Sequence, residues 1–313
     1  MPAPVTMPSP ASLAAQPDQA EFFEYSKAAN PIGAGLIPRI PYKLFPASLY
    51  DSGPSRLVTL DLSQELQCAG PATGPGLCAN FIRLNADDHL DLVPNATSQV
   101  LYVIEGAGTL DYGTTRLEWS KGCFVALPGL LATRLQARDD SRFYYVHDEP
   151  LLRYLGVERT VDRFSPTLYP AHIAQRKLRE AADDPRAGDR SRVSILLGNS
   201  NFGQTRTVTH VLWAMYGIVP PGAVQKPHRH QSIALDFIID CPSGCYTLVG
   251  PQLDDDGQIK NPTRVDWSPG LAFVTPPGYW HAHYNESNAE AFLIPIQDAG
   301  LQTYLRSLDI RFT

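Results

Sequence analysis

Cysteine is scarce in this 313-residue chain, and its five copies (Cys68, Cys78, Cys123, Cys241, Cys245) are odd in number. That disfavours a secreted scaffold stapled by disulfides. The opening "MPAPVTMPSPASLAAQPDQ" has neither a basic start nor an apolar core, so no secretory signal is read there and a reducing, cytoplasmic compartment is expected. Long apolar runs are missing as well: none approaches the ~20 residues of a membrane-spanning helix. Positive charge is not in excess, since Lys+Arg 26 against Asp+Glu 32 leaves a net charge of −6. That is the wrong balance for displacing counterions from a nucleic acid. It does not exclude an anionic small molecule, because a pocket can carry the opposite sign from the whole. "CPSGC" at 241–245 lacks a second cysteine pair to complete a zinc site and reads as a hairpin turn.

Proline (28) and glycine (23) are plentiful, and both punctuate short strands. The length suits two domains of ordinary size. Residues 1–55 read as an arm, disordered over 1–19 and aromatic and proline-broken over 20–55. From 56 to 150 short alternating stretches such as "LCANFIRL", "SQVLYVIEG" and "RFYYVHD" predict a β-barrel. Residues 151–204 form a linker in which "AHIAQRKLREAADD", after Pro170, predicts a helix. A second strand-rich block fills 205–313. The two blocks repeat one order: strand, turn, strand, strand, glycine, strand, proline-glycine turn. The fold expected is all-β, two tandem barrels with a short helical linker.

The chemistry is concentrated in the second block. On a strand, residues i and i+2 share a face, so His228 and His230 of "QKPHRHQSIALDFIID" point the same way. A third ligand is on offer in "WSPGLAFVTPPGYWHAHYNES", at His281. Gly222 stands before the first pair, and Gly270, Pro276, Gly278, His281 and Asn285 space the second string. These two strings resemble the paired signatures of the cupin superfamily: glycine then H-x-H, and later G-x5-P-x-G-x2-H-x3-N. The carboxylate ligand expected after the first pair is absent, with Ala234 and Leu235 in its place. Within the superfamily, "HRHQSIALDF" followed by "PPGYWHAHYN" resembles the gentisate and salicylate 1,2-dioxygenase group.

The resemblance implies double-stranded β-helix barrels in tandem and a three-histidine site for a divalent metal, Fe(II) foremost, with Zn, Mn, Ni and Cu as alternatives. It also implies O₂-dependent cleavage of a hydroxylated or amino-substituted aromatic ring. Two other readings stay open: a metal-dependent isomerase, cyclase or decarboxylase without O₂, and a non-catalytic binding protein. The partners expected are a small aromatic substrate, O₂ and further copies of the chain in a homodimer or homotetramer. His283 is the catalytic candidate, with a hydrogen-bonding or acid–base role; Gln225, Asp236 and Trp280 are candidates for substrate contact. An arginine follows "AL" in the resembled pattern, where it is thought to grip a substrate carboxylate, and this chain has Asp236 there. Gentisate itself is therefore disfavoured unless another cation compensates. Asp236 either receives a donor or cationic group of a different substrate, or pairs with a protein arginine such as Arg206 or Arg264. In the first block the matching positions hold no ligand set: Leu92 and Pro94, or Val93 and Asn95, replace the histidine pair. Thr133 and Ala137 replace the later histidine and asparagine. That barrel reads as structural, with the metal in the second, whereas the resembled group usually carries it in the first.

Overall fold

The computed structural model describes residues 20–189 and 192–313, and the disorder expected for 1–19 concerns residues outside that set. The chain divides into a segment ending at Arg39 and a body from Ile40 to Thr313. In the segment, one helical turn, Tyr25–Ala28, is capped by the Glu24 carboxylate, which accepts from the N–H groups of Ser26 and Lys27. Among the described residues no helix is long and apolar enough to cross a membrane.

Strand makes up 38% of the protein and helix 14%, so the all-β expectation holds. The strands are β1 (Leu44–Phe45), β2 (Arg56–Thr59), β3 (Cys78–Leu84), β4 (His89–Leu92), β5 (Gln99–Glu105), β6 (Ala107–Tyr112), β7 (Thr115–Ser120), β8 (Phe124–Leu127), β9 (Thr133–Ala137) and β10 (Ser141–His147). After them come β11 (Thr167–Tyr169), β12 (Val193–Leu196), β13 (Trp213–Val219), β14 (Val224–Arg229), β15 (Ala234–Asp240), β16 (Cys245–Gly250), β17 (Thr263–Asp266), β18 (Ala272–Thr275), β19 (Trp280–Asn285), β20 (Ala291–Gln297) and β21 (Arg311–Phe312). The helix read into the linker runs Ala171–Ala182, starting directly after Pro170.

The first barrel joins a sheet of order β11-β8-β5-β10-β3-β2 to one of order β4-β9-β6-β7. The second joins β1-β18-β15-β20-β13-β12 to β17-β16-β19-β14-β21. Strands β3, β10, β5 and β8 thus reappear ten places later as β13, β20, β15 and β18, which is the internal duplication in structural form. The edge strand β1 comes from the segment before the first barrel yet pairs with β18 of the second, Leu44 opposite Phe273.

Alternation along single strands builds two kinds of core. On β5, Val100 and Tyr102 join the core between the barrels, whereas Leu101 and Val103 point into the first barrel. On β15, Leu235 and Phe237 join that same inter-barrel core, and Ile238 packs inside the second barrel. Phe237 stacks on Tyr144 at 4.9 Å between ring centroids, with Tyr102 and Phe81 beside it. Burying aromatic rings of this size contributes on the order of 2–3 kcal/mol each. The face-to-face six-stranded sheets therefore fix the second barrel rigidly on the first.

Candidate metal centre

The site is assembled from the middle of one sheet. His228 ends β14 next to His230, and His281 sits on β19 directly opposite His228. The three rings are buried, at 4%, 3% and 2% exposure, and one nitrogen from each lies within 4.8 Å of the other two. The ring centroids of His228 and His281 are 4.0 Å apart and those of His230 and His281 5.0 Å. Each Nδ1 meets a backbone carbonyl: Lys226 O at 3.1 Å from His228, Ser232 O at 2.8 Å from His230, Tyr279 O at 3.1 Å from His281. Donating Nδ1–H there leaves the lone pair on Nε2, which is the tautomer a metal needs, although at His228 that lone pair faces the Arg192 guanidinium. Burial is the main reason that His228 and His281 are held well below the usual imidazole range and His230 is pushed down to about 4. All three are neutral at pH 7, as ligands must be.

The motif glycines serve backbone geometry. Gly222, Gly270 and Gly278 have φ of +67°, +79° and +74°, a region that side-chain-bearing residues avoid. The Gly278 N–H donates to His230 O at 2.7 Å, locking the turn before β19 onto the histidine pair. Asn285 ends that strand as a clasp. Its amide donates to Val219 O and Ala289 O at 2.9 and 2.7 Å and accepts from Ser287.

His283 shares the inward face with His281, its ring centroid 5.8 Å away, and is fully buried. Trp267 Nε1–H donates to Thr247 Oγ1 at 2.8 Å, and Thr247 Oγ1 lies 2.8 Å from His283 Nδ1. With the hydroxyl proton directed at Nδ1, the ring proton sits on Nε2, an atom without a partner among the described residues. Gln225 lies opposite His283. It is 4% exposed, and both polar atoms of its amide lack partners among the described residues. Gln225 and His228 are three apart and would point to opposite faces of a regular strand. A register shift between them inserts one extra residue, so both face inward.

Asp236 is 2% exposed on the face of β15 opposite Leu235 and Phe237. Its Oδ2 accepts from Thr275 Oγ1 at 2.8 Å. Neither arginine named as a partner pairs with it: Arg264 binds Asp266 on the far side of its sheet, over the Tyr246 ring, and Arg206 is exposed. Trp280 is not brought to the cluster. It alternates to the outer face, where the Arg229 guanidinium lies 5.1 Å from its ring.

Two further residues reach the histidines from outside the motifs. Arg192, at the start of β12, places Nη2 2.7 Å from His228 Nε2. Trp213, on β13, carries a buried Nε1–H without a partner among the described residues. Both line a cavity of about 110 Å³ together with Met215, His228, His230 and Phe312. No local pattern marks Arg192, because it lies in the charged linker. Trp213 looks like any core aromatic of a strand.

The architecture matches that of salicylate 1,2-dioxygenase from Pseudaminobacter salicylatoxidans at a TM-score of 0.70, over 94% of both chains, with 13% identity. The fold is that of a bicupin. A structure of the same enzyme with gentisate adducts aligns at 0.69, over 93% of this bicupin and 90% of that chain, at 12% identity. In sequence, the bicupin is similar to gentisate 1,2-dioxygenase 1 of Aquipseudomonas alcaligenes, 29% identical over 124 residues, 40% of the chain and 32% of that protein. It is also similar to 5-nitrosalicylic acid 1,2-dioxygenase of a Bradyrhizobium species, 25% identical over 134 residues, 42% of the chain and 58% of that protein. The matched part thus spans about a third and somewhat over half of these relatives. No family model matches the chain.

Proposed function

We propose that this bicupin is a metal-dependent dioxygenase that opens a hydroxylated or amino-substituted aromatic ring in its second barrel. The observation that carries the proposal is the convergence of three neutral imidazoles, each with Nδ1 beside a backbone carbonyl and its Nε2 lone pair left for an acceptor's role, which at His228 is taken by the Arg192 guanidinium that a metal would displace. The named activities of the relatives favour the same chemistry. The donor set suits Fe(II), held by His228, His230 and His281. Such an ion would supply Lewis acidity and open positions at which substrate oxygens and O₂ meet. Without a carboxylate ligand its full charge is retained, which favours a substrate that binds through deprotonated oxygens.

The chain's own groups do the rest. Arg192 and the Trp213 N–H present positive charge and a donor to the same cavity, so an anionic carboxylate has a place to rest beside the metal. Arg192 is the compensating cation whose absence would have excluded hydroxybenzoates. His283 Nε2–H, fixed in direction by Thr247 and Trp267, is placed to donate to a substrate oxygen and to take the proton back. Gln225 offers an unpaired amide on the same side. The cavity's size restricts the ligand to a single ring. A cytoplasmic homodimer or homotetramer is the setting we propose for it.

Elemental analysis of the purified protein followed by an oxygen-electrode screen of phenols, aminophenols and salicylates tests the proposal. Iron near one per chain and stoichiometric O₂ uptake with loss of the aromatic absorbance are expected. Substrate turnover without O₂ uptake would replace the dioxygenase with the non-oxidative reading. Unchanged metal content in His228→Ala would remove the metal centre altogether.

A further inference from the structure

The facing six-stranded sheets meet along a seam, and a strap of chain crosses each end of it. The straps are related by the duplication: β1 pairs with β18, and β11 with β8. Beyond these short strands, Ala47 and Tyr50 lie against Gly270 at one end, and Ala171 and Gln175 lie against Gly122 at the other. At the first end the floor is phenylalanine, and the strap packs directly on it. The Tyr50 ring lies 4.2 Å from that of Phe81, which neighbours Phe237, and the Tyr50 hydroxyl donates to Gly270 O at 3.0 Å. At the second end tyrosines stand in the corresponding places. Register relates Tyr216 to Phe81 and Tyr102 to Phe237, since Cys78 and Gln99 face His147 as Trp213 and Ala234 face Gln297. There the strap leaves a cavity of about 910 Å³. Tyr102 and Tyr216 line it at 5% and 9% exposure, and neither hydroxyl has a partner among the described residues. Burial holds both phenols above their ordinary range, so they stay protonated and can donate. From the linker helix, His172, Arg176 and Arg179 reach the cavity, and Lys121 joins them from the turn before β8. Arg179 is engaged by Glu290 and Arg176 by Glu180, whereas Lys121 and His172 have no acidic partner among the described residues. Two carboxylates also line the space: Glu105, engaged by Arg142, and Asp240.

We propose that this seam cavity is a second ligand site, one that takes a small organic carboxylate with a bulky apolar body. The carboxylate accepts from the two tyrosine hydroxyls, and Lys121 adds charge that no protein acid engages. The apolar body lies against Ile104 and Phe292, which line the same space. The volume is that of an ordinary small-molecule site, apolar walls with a few convergent polar groups. A largely buried hydroxyl without an acceptor is a cost that phenylalanine avoids, as the first end of the seam shows, and a ligand oxygen removes that cost. Asp240 opposes an anion, so its removal has a defined sign. The cavity shares no lining residue with the one at the histidines: on β13 the neighbours Met215 and Tyr216 line the two spaces separately. The proposal therefore stands apart from the metal chemistry.

The test is titration calorimetry on the full chain with adamantane-1-carboxylate, a probe too bulky for the 110 Å³ cavity at the histidines. Adamantane-1-amine reverses its charge, and inorganic phosphate keeps charge without an apolar body. The acid is expected to bind once per chain, more tightly than either control, and equally well in His281→Thr. Tyr102→Phe and Tyr216→Phe, which install the residues of the other end of the seam and so preserve the fold, should each weaken it about tenfold, the ratio for a hydrogen bond to a charged group. Lys121→Gln should weaken it by a smaller factor, and Asp240→Asn should tighten it. Absence of binding at millimolar acid would overturn the proposal, as would an unchanged affinity in the double phenylalanine variant. Preference for the amine, or weaker binding in Asp240→Asn, would overturn the anionic ligand. Phosphate binding as tightly as the acid would leave a charged patch and no ligand site. Oxygen uptake in the screen above is independent of every one of these outcomes.

Discussion

The two barrels of this protein share a strand order and differ in what fills them. The first is dry. At the positions of His228, His281 and His283, the pairing of β4 with β9 and of β6 with β9 places Leu92, Thr133 and Leu135. Leu101 takes the place of Asp236, Leu127 that of Thr275 and Leu110 that of Thr247. These leucines pack with Trp119, Phe143 and Tyr145 into one cluster. The second barrel keeps an apolar plug at one end, around Trp267, Phe273 and Leu293. Over its other half it carries four imidazoles, a carboxylate, an amide and a guanidinium. The same frame therefore holds either an apolar core or a polar interior, depending on about seven inward positions. The first barrel contributes stiffness: its outer aromatics brace β15 from behind, and that strand holds Asp236.

Exchanging residues between the barrels tests how far the difference goes. The largest effect is expected from His281→Thr, the residue of the first barrel. Loss of one of three ligands should leave metal content below about a tenth of wild type and O₂ uptake below measurement, since ligand removal exceeds the ~10–100-fold cost of perturbing an outer partner. Near-normal iron in this variant, measured by mass spectrometry, would mean that the ligand set is different. His283→Leu copies Leu135 and should spare the metal while lowering turnover by about 10²–10⁴-fold, the usual contribution of a positioned acid–base group. Loss of metal along with turnover would make His283 a ligand instead.

Asn285→Ala copies Ala137. It should cost about 2–3 kcal/mol in denaturant unfolding, because two carbonyls and Ser287 lose their partner, and it should leave the bound metal in place. Acid should separate the barrels more gently. His228, His281 and His283 are held well below the ordinary range and His230 near 4, all chiefly by burial. In the first barrel, His147 is pushed to about 3 in the same way. As pH falls through 6.5 the unfolded chain takes up protons that the folded chain refuses, so stability falls. Asp148, Asp236 and Asp298, raised to about 6 by burial, oppose this between 6 and 3.8 but are fewer. The melting temperature of metal-free protein should therefore drop from pH 7 to 5. Each buried imidazole contributes about 1 kcal/mol per pH unit below 6.5. His283→Leu should flatten the curve, and an identical slope would show that His283 does not contribute. The smallest change is expected from Thr133→Val, which removes a buried hydroxyl lacking a partner among the described residues. A gain of up to about 1 kcal/mol is expected, with metal and turnover unaltered.

Much of this was legible without coordinates. The period-two alternation of "HRH" and "WHAHYN" and the spacing of Gly222, Gly270 and Gly278 announced both the barrel and the histidine cluster. The lack of histidines around Leu92 and Pro94 and at Thr133 announced the first block's missing ligand set. These features are local: which way a side chain leaves a strand, and where φ must be positive, depend on a few neighbouring residues. Other features were not local. Gln225 faces into the barrel because of a register shift that no alternation rule contains. Arg192 and Trp213 join the histidines only because β12 and β13 close the adjoining sheet. The sequence by itself determined strands, turns and the residues able to bind a metal. Only the tertiary structure decided which charges and donors from remote segments share that cavity, since long-range pairing and register set what stands opposite each inward side chain.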